Sequence, residues 1–178
     1  MIRILLREAV VRQRDSGISH SNQAISKFSL KGGPSLMKLF VGIDVSSQFL
    51  DVCFLTDDEE LTVLKEARFE NSFLGASQIK VILLDFVQEF NFAKVVIGME
   101  ATSLYSFHPA MFFKEDEELQ TLNLDVSIEQ PQKIKKYRDI FEEEKNDRID
   151  AFYIADYFRV RRYAISMVKE EQHRALQH

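Results

Sequence analysis

The chain reads as an α/β protein built on a mixed five-stranded sheet, the first three strands antiparallel, with helices on both faces. Three observations predict this. Apolar runs of strand length recur at 38–45, 49–55, 61–69 and 93–99. The first three are joined by short connections, Ser46-Ser47 and Asp57-Asp58-Glu59-Glu60, which imply an antiparallel meander. The fourth follows a stretch of helical spacing, so it should return parallel to a strand of the same sheet.

Each element has its own signal. The run 38–45 is nearly all apolar, the mark of a strand buried on both faces. In 49–55, Leu50, Val52 and Phe54 alternate with Asp51 and Cys53. The third run alternates less cleanly. Asn71-Ser72 offers a helix N-cap, and Ile79, Ile82, Leu83, Phe86 and Val87 then form one face of a helix over 73–90. A second helix is expected over 104–119, with Pro109 near its first turn. A weaker strand signal covers 125–128. Pro131 opens a basic loop or short helix, and a long helix is expected from Asp147 to about Val168. Residues 1–36 are different in character. They hold a short basic amphipathic stretch, then a polar segment with Gly17, Gly32, Gly33 and Pro34, and read as a flexible or spurious extension.

With 178 residues the chain is long enough for one domain with a real core. Apolar content of 46% and charged content of 29% are ordinary for a globular protein. The single cysteine, Cys53, excludes an internal disulfide framework and a Cys-rich zinc site, and fits a cytoplasmic location. No apolar run approaches the roughly 18–20 residues needed to cross a bilayer. The net charge of −5 hides an asymmetry: residues 44–130 carry five basic and seventeen acidic side chains, residues 131–178 eleven and nine. Only the cluster after Pro131 supports nucleic-acid binding.

Four acids stand out. Asp44 closes the apolar run Leu39-Phe40-Val41-Gly42-Ile43, and Glu100 closes Val95-Val96-Ile97-Gly98-Met99. Asp147 and Asp150 lie three apart at the start of the last helix, hence on one face. Singly, each has a plain reading: a turn residue, a turn cap, a helix-start acid, an exposed helical residue. Together they suit a divalent-metal site. If the first and fourth strands are neighbours, Asp44 and Glu100 come side by side, about 4.8 Å apart at the backbone. Two Mg²⁺ (or Mn²⁺) ions about 3.5–4 Å apart would relieve the repulsion and clamp a phosphodiester. An oxygen-only donor set fits Mg²⁺. Lys133, Lys135, Lys136, Arg138, Lys145 and Arg148 form the candidate phosphate-contacting surface, against the plain reading of a solvated loop. Tyr137 reads as core packing ahead of base stacking, and Glu142-Glu143-Glu144 as a solvated run. Tyr153, Tyr157 and Tyr163 read as an exposed aromatic face that meets a missing segment or another subunit.

The blocks Gly42-Ile43-Asp44-Val45-Ser46, Gly98-Met99-Glu100-Ala101-Thr102 and Asn146-Asp147-Arg148-Ile149-Asp150-Ala151 resemble the three blocks of the DEDD domain of insertion sequence 110 family transposases. That domain is similar to RuvC-type Holliday-junction resolvases. The resemblance implies a ribonuclease-H-like fold over about 37–170, and catalytic, metal-binding roles for Asp44, Glu100, Asp147 and Asp150. It also implies DNA as substrate, a structured guide-type RNA as possible partner, and homo-oligomerisation. In the family a helical linker and a serine-bearing domain follow, so residues 171–178 read as the start of a linker in a fragment, which alone should not carry out transposition. Two rivals stay open. Gly42-Ile43-Asp44-Val45-Ser46-Ser47 also resembles the first phosphate loop of actin-like ATPases, although six glycines in all and no Asp-Gly-Gly loop argue against it. The domain could also be a non-catalytic remnant that binds nucleic acid or a partner.

Overall fold

The structure is a computed structural model and describes residues 37–141 and 150–161. Among these, the strands are β1 (Lys38–Val45), β2 (Phe49–Thr56), β3 (Val63–Glu70), β4 (Lys94–Glu100) and β5 (Leu124–Glu129). The helices are α1 (Phe73–Phe90), α2 (Phe107–Glu115), α3 (Pro131–Arg138) and α4 (Asp150–Val160). One sheet holds all five strands in the order β3-β2-β1-β4-β5. β1, β2 and β3 form the expected antiparallel meander, and β4 and β5 run parallel to β1. This is the ribonuclease-H-like arrangement, with β1 central.

β1 is buried along both faces, as its unbroken apolar run predicts. On one face Leu39, Val41, Ile43, Leu50, Val52, Phe54, Val95, Ile97 and Met99 meet Ile79 and Leu83 of α1 and Phe113 of α2 in the main core. On the other, Phe40, Cys53, Leu55 and Val96 meet Ala151, Phe152 and Ala155 of α4. α1 starts where expected: the Ser72 hydroxyl accepts from Gly75 N–H, and Asn91 ends it in a left-handed conformation.

Several boundaries differ from expectation. The predicted helix over 104–119 is broken into a 3-10 turn at Ser103–Tyr105, α2, and a second 3-10 turn at Leu119–Thr121. Asp116 breaks it. Its backbone turns extended, and its Oδ1 accepts from Glu118 N–H and Leu119 N–H, competing with helical bonding. β3 begins at Val63 because Leu61 sits at φ 52° and Asp58 captures the Thr62 N–H and hydroxyl in a turn. β5 runs one residue further than its signal at each end, from Leu124 through Glu129. The basic segment after Pro131 is a helix, with Pro131 in its first turn and Ile134 its buried anchor. Of the long last helix, Asp150–Val160 is described; Asp147 and the stretch beyond 161 lie outside the described residues.

Candidate functional site

The carboxyl ends of β1, β4 and β5 lie side by side, and all three approach their ends with an acid: Asp44, Glu100 and Glu129. Side chains alternate across a strand, so the face under α4 can be followed row by row. One row holds Cys53, Gly42, Gly98 and Ser127, matched as neighbours across four strands. Two residues on, the same face carries Arg68, Asp51, Asp44, Glu100 and Glu129. Arg68 pairs with Asp51, Asp51 with Asp44, and Glu100 with Glu129; Asp44 and Glu100 each follow the matched pair Ile43 and Met99. Four acids thus cross the sheet in one line.

The glycines explain how α4 reaches that line. A Cβ on Gly42 would overlap the Ala151 carbonyl oxygen and the Ala155 backbone nitrogen, and one on Gly98 would overlap the Phe158 ring. Only bare backbone lets the helix lie this close. The start of α4, with Asp150, is thereby brought over the acid row. Loop contacts hold the strand ends together: the Thr102 hydroxyl donates to Val45 O (2.9 Å), and Asn71 Nδ2 donates to Ser46 O (2.8 Å).

The acids of the site differ in how they are balanced. Asp51 is held by a two-pronged bond from Arg68 (2.8 and 2.9 Å). Glu129, only 6% exposed, accepts from Tyr157 OH (3.0 Å) and Gln130 N–H (2.9 Å), and pairs with Lys133 (3.0 Å) and Arg161. Asp150 pairs with Arg138 Nη1 (2.7 Å). Asp44 and Glu100 have no ion-pair partner among the described residues. Burial, then the charges of Asp150 and Asp51, push the Asp44 carboxyl above the usual range. Burial, then the charge of Asp44, push Glu100 up, while Arg138 draws it back. Among the described residues, two carboxylates are therefore left without an ion pair in the middle of a paired row, offset only in part by the charge of Arg138.

Among the described residues, no three His, Cys, Asp or Glu side chains stand close enough to enclose a metal ion. Asp44, Glu100 and Asp150 are within electrostatic reach of one another. Asp147, Lys145 and Arg148 lie outside the described residues. The rest of the basic cluster divides. Lys133 and Arg138 are engaged by Glu129 and Asp150, while Lys135 and Lys136 are exposed on α3. Tyr137 is structural: its hydroxyl donates to the buried Asp156 (2.6 Å), and burial followed by that bond raises its pKa. The expectation of an exposed aromatic face on α4 fails at Tyr157, which is 8% exposed because its ring packs with Ile134 and Ile154 and its hydroxyl serves Glu129. Tyr153 is half-buried, and Tyr163 lies outside the described residues.

Asp51 and Glu129 escape a reading of the sequence. Glu129 carried a usable signal, since it closes a strand as Asp44 and Glu100 do. So did the glycines, each two residues before an acid.

The model of the DEDD-type insertion sequence 110 family, described as transposase, matches residues 41–178. The chain belongs to that transposase family. No curated protein matches it significantly. Among solved structures, this transposase-family chain is similar to T. thermophilus RuvC in complex with a Holliday junction substrate. That likeness has a TM-score of 0.42 and 14% identity, covering 69% of this chain and 92% of that one. It is also similar to the yeast mitochondrial Holliday junction resolvase Ydc2 (TM-score 0.31, 17% identity, 71% and 67% covered). A Ppx/GppA family member from Aquifex aeolicus gives a TM-score of 0.36 at 12% identity, covering 57% of this chain and 38% of that one.

Proposed function

We propose that this transposase-family chain performs metal-dependent phosphodiester chemistry on DNA during transposition of an insertion sequence, through a DEDD domain spanning about 37–170. The observation that carries the reading is the pair Asp44 and Glu100, without an ion pair among the described residues, at the carboxyl ends of adjacent parallel strands, the edge where open α/β sheets bind ligands. Asp147 and Asp150 complete the proposed ligand set from the last helix. The donors are all carboxylate oxygens, which fits Mg²⁺ or Mn²⁺, and a cation would offset the burial and the mutual repulsion that raise both strand acids. A bound divalent ion supplies Lewis-acid activation of a phosphoryl oxygen and of the attacking hydroxyl.

The chain's own residues divide the remaining work. Arg68 and the Lys133–Tyr157–Arg161 group neutralise the outer acids Asp51 and Glu129, so a cation is drawn to the centre of the row. Lys135 and Lys136, exposed on α3, would hold backbone phosphates of DNA, or of a structured RNA partner, without reading sequence. Homo-oligomerisation belongs to the same reading.

Mn²⁺ titrated calorimetrically into the full chain tests it. One or two ions should bind, and Asp44→Asn and Glu100→Gln should each weaken binding by at least about tenfold, the loss of one charged oxygen ligand. Equal binding by all three proteins would remove these acids from the site. No binding by any, even with branched DNA added, would leave a non-catalytic nucleic-acid-binding remnant in its place.

A further inference from the structure

Arg138 is the last residue of α3, and Asp150 is the first of α4. Their side chains meet at 2.7 Å, with Arg138 33% and Asp150 56% exposed. The pair is therefore open to solvent and to competing ions. The helix carrying Arg138 is fixed: Ile134 is buried, Lys133 is tied to Glu129, and Tyr137 is tied to Asp156. Its guanidinium, at the end of a long side chain, is the movable part. That one group also acts electrostatically on Asp44 and Glu100. It thus serves all three described carboxylates of the proposed ligand set. Exposed Lys135 and Lys136 lie on the same short helix.

We propose that Arg138 is an exchange residue. In the metal-free chain its guanidinium stands in for the cation at Asp150, and a nucleic-acid phosphate draws it away, so that phosphate and metal binding strengthen each other. The inference rests on the metal reading above. The chemistry favours the exchange. A guanidinium matches phosphate oxygens as well as carboxylate oxygens, in a two-pronged geometry. An exposed ion pair is weak and readily broken. Once Arg138 turns to a phosphate beside Lys135 and Lys136, Asp150 is released to a metal. By linkage, the metal then raises affinity for the phosphate by the same factor. Arg138 is a positioning residue here; it acts through Asp150.

The test compares the full chain with Arg138→Gln and Arg138→Lys. Mn²⁺ binding is measured by calorimetry with and without a short DNA duplex, and thermal unfolding is followed in chelator. Arg138→Gln should bind Mn²⁺ about three- to fivefold more tightly without DNA, the strength of an exposed pair that no longer has to be broken. It should gain less from DNA than the native chain does, and should melt lower in chelator because three carboxylates lose their counter-charge. Arg138→Lys should keep the native order of affinities. If Arg138→Gln and the native chain bind Mn²⁺ equally, with equal gains from DNA, the exchange is wrong while the metal site stands. If no protein binds Mn²⁺ under either condition, the metal site falls and the exchange falls with it.

Discussion

Under α1 and α2, the sheet presents Leu39, Val41, Ile43, Val52, Phe54, Val95, Ile97 and Met99, closed over by Ile79, Leu83 and Phe113. Under α4, the same strands present Gly42, Gly98 and Cys53, and then Asp51, Asp44, Glu100 and Glu129. The first face is packed with large side chains and carries the greater share of the apolar burial. The second gives up side-chain volume so that a helix can sit close, and ends in charges, two of which have no ion pair among the described residues. The packed core and the candidate site thus lie on opposite sides of one set of strands.

The comparison predicts a hierarchy of mutational cost. The largest effect belongs to the packed face. Phe54 is fully buried and makes an edge-on ring contact with Phe86 of α1 at 5.3 Å. Phe54→Ala should cost about 3–5 kcal/mol in denaturant unfolding, through lost transfer energy and the cavity left behind. It should leave Mn²⁺ affinity, measured below the transition, nearly unchanged. A collapse of Mn²⁺ binding in a still-folded Phe54→Ala protein would break the division between the faces.

The glycine row should show the reverse pattern. In Gly42→Ala the added methyl meets backbone atoms of Ala151 and Ala155, which cannot rotate away. The helix must lift, at a cost of about 1–3 kcal/mol, and Asp150 lifts with it. Mn²⁺ affinity should fall more than stability does. Gly98→Ala meets the ring of Phe158, a half-buried side chain able to move, so its cost should be smaller. If Gly42→Ala is no more disruptive than Gly98→Ala, the seating of α4 on bare backbone is wrong.

Why some of this was legible in the sequence and some was not follows from range. The meander, the parallel return of β4 and the start of α1 are set by short connections, by periodicity and by a Ser72 cap, all local in sequence. Asp44, Glu100 and Asp150 stand out as candidates in the sequence because each lies at an element boundary beside an apolar run. The break at Asp116 was missed because its carboxylate captures amides two and three residues on, a competition that composition does not reveal. Asp51 joins the acid row through register with Asp44, and the strand-end position of Glu129 gains its meaning only from the register that pairs it with Glu100. The fate of the basic cluster was illegible for the same reason: whether Lys133 is free depends on where Glu129 points.

The smallest predicted effect uses charge to separate the two sides. Lys80 of α1 bonds Asp116 at 2.7 Å and Glu118 at 3.1 Å, just beyond α2. Burial alone would push the Asp116 carboxyl up. The Lys80 bond and the amides of Leu119 and Glu118 outweigh it and hold Asp116 below its usual value. A carboxylate depressed on folding adds stability above its unfolded pKa and loses it as pH falls through the folded one. Asp44 and Glu100 are raised, so in the metal-free chain their ionisation costs stability, and acidification through the raised values restores it. Unfolding of the chain in chelator, followed from neutral pH downward, should separate the two. Asp116→Asn should lose up to about 1 kcal/mol at neutral pH, with the deficit closing in acid. Asp44→Asn should start more stable than the native chain, and that advantage should close in acid as well. A neutral-pH deficit in both variants would mean that Asp44 is compensated after all, and the contrast between a paired and an unpaired side of the sheet would be lost.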